Sequence, residues 1–128
     1  MSGGVTRIVA HPPPASFVTG DPVDPDLLIS GAPNDRDFTQ FVSEDGRVEC
    51  GVWACDVYKE RIPSFPNDEL FVVIEGRLVV TVDGGDPESF SPGDAFVIRR
   101  GMACTFDVQA PFLKYWMTFE ADPASDPK

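Results

Sequence analysis

The sequence predicts an all-β domain, built as a sandwich, jelly roll or barrel. Three observations carry this. The chain has 13 prolines and 11 glycines spread along 128 residues, which leaves no room for long helices. No segment keeps a convincing 3.6-residue apolar period. What recurs instead is short β-rich runs between turn signals.

Taken in order, DFTQFVS (37–43) reads as the first clear strand and ends at the turn Glu44-Asp45-Gly46. VECGVWACDVY (48–58) is the next, followed by KERIPSFPND as a loop. LFVVIE and RLVVTVD flank Gly76 and read as a hairpin. Asp83-Gly84-Gly85-Asp86-Pro87 is a second turn, and with no following helix or lysine it is no phosphate loop. ESFSPGDAFVIRRG contains one short strand, AFVI. MACTFDVQ and FLKYWMTFE close the domain. Residues 1–16 are polar and proline-rich and read as a flexible arm. Residues 17–120 form the single folded domain, and ADPASDPK (121–128) reads as a disordered tail.

Bulk composition narrows the partners. At 128 residues and 42% hydrophobic the chain can bury a core without metal or disulfide staples. Its 21 acids against 10 bases give a net charge of −11, which repels nucleic acid and anionic membranes. No stretch approaches the roughly 20 apolar residues of a spanning helix. The first residues lack the apolar core of a secretory signal. Cys50, Cys55 and Cys104 are odd in number, without zinc-like spacing, and read as reduced thiols in a cytoplasm.

GVWACDVY…PNDELFVVIEG (51–76), SPGDAFVIRRG (91–101) and MACTFDV…LKYW occur in an order that resembles the cupin family. Within it they resemble the small single-domain cupins related to ureidoglycine aminohydrolase. The matching residues are Gly51, Trp53, Cys55, Asp68, Glu69, Glu75, Gly76, Pro92, Gly93, Asp94, Ala95, Gly101, Thr105, Val108 and Lys114. The resemblance spans roughly residues 18–120. It implies a double-stranded β-helix jelly roll with the site in the barrel lumen, and a homodimer.

Metal-binding cupins carry paired histidines and a glutamate in the first motif and a histidine in the second. Here the glutamate position is Glu69. The paired-histidine positions fall on Ile62 and Ser64, or on Pro63 and Phe65, and the second-motif histidine position is Cys104. His11, the chain's one histidine, lies outside the domain. The sequence therefore predicts no metal and no other cofactor, since one carboxylate and one thiol make too few ligands.

Several residues are candidates for a small-molecule site. Glu69, if it faces the lumen, is the candidate catalytic acid or base. Asp68, beside it, points the other way and reads as a loop contact. Trp53 alternates with Val52 and Ala54 and serves either the core or a ligand wall. Tyr58 and Phe65 bracket the expected barrel mouth. Cys104 shares a face with Phe106 and reads as inert packing or pocket lining. Lys114 can pair with a ligand carboxylate or with an acid such as Glu69, and the second is the favoured reading. Arg99 and Arg100 read as a solvated turn or an anion-holding mouth.

The expected function is a metal-free cupin that binds a small molecule in its lumen. Isomerase- or lyase-type acid–base chemistry is compatible with that site, and the residues leave open whether chemistry accompanies binding. A metal-dependent hydrolase resembling ureidoglycine aminohydrolase and a non-enzymatic dimeric module are the alternatives. An open cavity of roughly 300 Å³ or more counts against the last.

Overall fold

A computed structural model of the protein describes residues 4–120. Among them, nine strands form one antiparallel sheet that curls on itself, the single-domain jelly roll expected from the sequence. The strands are β1 (Val18–Thr19), β2 (Leu28–Gly31), β3 (Arg36–Val42), β4 (Val48–Cys55), β5 (Tyr58–Ile62), β6 (Asp68–Val82), β7 (Glu88–Phe90), β8 (Ala95–Ile98) and β9 (Cys104–Phe119). One short 3-10 turn, Pro14–Ser16, precedes them. The expected tail at 121–128, and the first three residues of the expected arm, lie outside the described residues.

The spine is β9. Along its first half it pairs with β5, Tyr58 facing Val108 and Ile62 facing Cys104. Along its second half it pairs with β4, Trp53 facing Lys114. Its other edge runs the length of β6. Burial follows the period of two: Phe71, Val73, Leu78 and Val80 point inward from β6, and Cys104, Phe106 and Val108 from β9. These join Cys55, Tyr58, Phe65, Ile98 and Phe112 in the main core.

Three local readings need correction. The runs on either side of Gly76 are not a hairpin. They are the halves of one long strand, β6, and both pair with β9. Register shifts at Val73/Glu75, Glu75/Arg77 and Arg77/Leu78 kink the strand without reversing it. Gly76 has φ +89°, and a Cβ there would lie 2.3 Å from the Pro111 carbonyl oxygen. Likewise MACTFDVQ and FLKYWMTFE are one strand, not two. Lys59–Ile62, read as loop, belongs to β5, and the short edge strands β1, β2 and β7 carried no signal strong enough to read.

The segment before β1 lies along the outside of the sheet. Val9 and Gln40 exchange two hydrogen bonds of 2.7 and 2.9 Å. His11 Nε2 lies 2.8 Å from Glu75 Oε2, and Phe17 packs edge-on against Phe38. Val52, Ala54 and Leu113 form a second small apolar cluster on this outer face.

Candidate active-site cavity

Strand register assembles the site in three rows across the inner face. Asp37, Trp53, Lys114 and Val73 stand side by side on β3, β4, β9 and β6. Thr39, Gly51, Trp116 and Phe71 form the next row, and Glu49, Thr118 and Glu69 the outermost. Their polar and indole side chains, with Asn67 just before β6, line a cavity of about 340 Å³. Gly51 lets β3 come close: a Cβ there would lie 2.0 Å from the Phe38 carbonyl oxygen.

Lys114 is the centre of this arrangement. Its side chain runs along the sheet over the face of Phe71, Nζ 3.2 Å from the ring centroid and 4.9 Å from that of Trp53. There it donates a 2.6 Å hydrogen bond to Glu69 Oε2. Lys114 is buried and Glu69 mostly so, with side-chain exposures of 7% and 13%. Burial pushes the Lys114 ammonium below the ordinary lysine range, and the Glu69 and Asp37 carboxylates only partly oppose this. Asp37 accepts a 2.9 Å hydrogen bond from Trp116 Nε1. Its carboxyl is held above the usual range, chiefly by burial. Trp53 Nε1 donates to Asp35 at 3.3 Å.

The seven residues singled out by sequence divide between two places. Glu69, Lys114 and Trp53 line the cavity together. Tyr58, Phe65, Cys104 and Phe106 lie in the main core. Phe65 packs between Phe71 and Phe106 with centroids 6.2 and 5.9 Å away. Tyr58 donates a 2.7 Å hydrogen bond to Glu60, and burial raises the pKa of both groups. The Cys104 thiol is fully buried and shifted up by that burial. Cys55, beside Lys114, is pushed up to about 12, so neither thiol is a nucleophile at neutral pH. Asp68 accepts a 2.8 Å hydrogen bond from the Arg100 amide.

Sequence reasoning missed Asp37, Glu49, Thr39, Thr118 and Asn67 as lining residues. Asp37 had one available signal: antiparallel pairing of DFTQFV with GVWAC sets it opposite Trp53. A second hollow of about 370 Å³ lies where the N-terminal segment meets the kink of β6 and β9. The His11–Glu75 pair on its wall is exposed and self-satisfied.

The metal that the cupin fold implies does not fit these residues. A phenyl ring, Phe65, packs at one of the paired-histidine positions, and Ile62 faces Cys104 at another. Among the described residues no three His, Cys, Asp or Glu side chains group as metal ligands.

The model of the EutQ-like cupin domain matches residues 42–116, and the chain belongs to that family. The match takes in the cavity strands from β4 to Trp116. Compared with curated proteins, the chain matches none. Among solved structures it is similar to a protein of unknown function of the DUF861 family from Pseudomonas syringae pv. tomato, with 26% identity and a TM-score of 0.71. That likeness covers 80% of this chain but 43% of the relative's length. Similarity to the Clostridium difficile EutQ protein is also 26%, with a TM-score of 0.56 over 73% of this chain and 67% of that one. A cupin superfamily protein from Desulfitobacterium hafniense, 17% identical with a TM-score of 0.56 over 73% of this chain and 84% of that one, shares the fold. Among the described residues no helix is long and apolar enough to cross a membrane.

Proposed function

We propose that this cupin binds a small molecule in the Lys114–Glu69 cavity and moves a proton on it, in the manner of an isomerase or lyase. One observation carries the reading. A carboxylate and an ammonium joined at 2.6 Å stand on the wall of an open, indole-lined cavity, where a purely structural ion pair would be packed over. The volume of about 340 Å³ falls within the range of small-ligand sites and weighs against a filled, non-enzymatic module. Glu69 is the group that takes or gives the proton. Lys114 pairs with that carboxylate, and the Asp37 carboxyl stands on the same cavity wall.

The chain's two tryptophans, Trp53 and Trp116, both line the cavity, so intrinsic fluorescence reports its occupancy. Native mass spectrometry of the purified protein should reveal a co-purifying small molecule, and adding that molecule back should change the fluorescence and raise Tm. Glu69→Gln should remove turnover while the fluorescence response persists. A protein that carries no small molecule and whose tryptophans respond to none of a broad metabolite panel would sink this reading.

We also infer a homodimer through the outer face of β8, β6 and β9. Leu70 stands between Val97 and Met117, and Val72 between Ala95 and Tyr115. Leu70, Val97, Met117 and Phe119 are exposed. Two copies of net charge −11 meet with least repulsion where charge is sparse. Light scattering should give twice the chain mass, falling to the monomer on Met117→Lys.

A further inference from the structure

We propose that Lys114 is a nucleophilic amine that forms an iminium with an uncharged aldehyde or ketone bound in the cavity. This rests on the small-molecule reading above and names the substrate class.

The geometry of the amine comes first. Nζ is buried at the cavity wall, against the Phe71 ring on one side and near Trp53 on another. Aromatic carbon replaces most of the water an ammonium would hold, which favours the neutral amine, as the lowered pKa of Lys114 supports. Glu69 is already at hydrogen-bond distance, placed to take the ammonium proton. The thiol beside it, Cys55, is too weak an acid to compete as nucleophile.

The step balances without any further reagent. Glu69 accepts one proton from Lys114, and the nitrogen lone pair forms a bond to the carbonyl carbon while the C–O π pair moves to oxygen. That oxygen takes a proton from the attacking nitrogen, which gives the neutral carbinolamine. It then leaves as water, carrying the proton held by Glu69, as nitrogen forms the second bond to carbon. Ammonium and carbonyl become iminium and one water, charge is conserved, and Glu69 ends ionised as it began. The iminium withdraws electrons from the adjacent carbon, which makes a proton there removable by the same carboxylate.

Charge selects the substrate. The charged groups facing Nζ are Glu69 and Asp37, with Glu49 also on the cavity wall. Three carboxyl groups against one cation repel keto acids and stabilise an iminium once formed. Neutral or amine-bearing carbonyl compounds are the class that fits.

Reductive trapping of the full chain tests this. The protein is incubated with glycolaldehyde or, separately, with pyruvate, in the presence of cyanoborohydride, then weighed intact and mapped by peptide. Apart from the α-amine, the chain has three reactive amines, Lys59, Lys114 and Lys128, which peptide mapping tells apart. With glycolaldehyde, Lys114 should be labelled faster than Lys59. The label should equal the aldehyde less water plus two hydrogens. Measured against Lys59, which corrects for the slower chemistry of a ketone, pyruvate should label Lys114 less than glycolaldehyde does. Glu69→Gln should slow labelling of Lys114 and leave Lys59 unchanged. Lys114→Arg, which keeps the cation, should lose the label while its circular dichroism stays that of the parent. Labelling spread evenly over the three lysines overturns the proposal. So does an aldehyde that changes tryptophan fluorescence yet leaves Lys114 unmodified, and in that case the small-molecule reading survives alone. Equal labelling by pyruvate overturns the charge selection.

Discussion

The Lys114 side chain joins stability and chemistry in one group. Taking two charges out of water is expensive, and each is tolerated because the other is present. Removing one partner leaves an uncompensated charge and costs about 3–5 kcal/mol. Lys114→Met and Glu69→Gln should each therefore lower the urea midpoint substantially. The double variant should lose less than the sum of the two, because it leaves neither charge behind. Additive single effects of a few tenths of a kcal/mol would mean the pair contributes nothing to the fold. Trp53, Glu69 and Lys114 were legible as candidates, and as neighbours on one cavity wall, because each sits at a recognisable position within a motif. Glu49 and Asp37 were not. Their placement depends on the β3–β4 register, and that register slips at a bulge between Thr39 and Phe41, which no local pattern announces.

At the scale of elements, the long pair β6–β9 decides the architecture. Gly76 is its pivot. A positive φ is strained for any residue with a Cβ, and here a Cβ would also overlap the Pro111 carbonyl. Gly76→Ala should cost at least about 1–2 kcal/mol from backbone strain alone, with further loss from that overlap. Thermal denaturation checks it; an unchanged Tm would show that the kink has slack. The hairpin misreading at this glycine has a physical source. Two apolar runs separated by Glu75-Gly76-Arg77 look alike whether the chain reverses or bends, because the partner strand that settles the matter begins at Cys104, 28 residues after the glycine. The all-β class and several strand positions were legible because alternation and turn residues are local. Pairings were not, because they join distant residues.

For the whole molecule, burial of titratable groups sets the response to pH. Cys50, Cys55 and Cys104 are buried thiols, and burial raises the pKa of each. The folded state holds protons that the unfolded chain releases above about pH 8.5, so stability is lost as pH climbs from there toward the folded values. Tyr58, raised likewise, adds to the loss above about pH 10. Lys114 works the other way. Its folded pKa is lowered, so it adds stability as pH rises toward the unfolded value of about 10.4. Three thiols outweigh one amine, and urea midpoints should fall between pH 7.5 and about 9.5. A midpoint that rises over this interval would show the lysine to be dominant.

The central position of β9 bears on how the protein is made. Without that strand the pairings reduce to three separate ribbons, β1–β3–β4, β2–β5 and β7–β6–β8, with no strand pairing between them. Since β9 follows all of them in chain order, a nascent polypeptide must keep three greasy, half-finished ribbons soluble until residues 104–119 clear the ribosome. Arrested chains stopping short of Cys104 should thus be digested readily by protease and held by chaperones, and resistance should arrive abruptly once Phe119 is out.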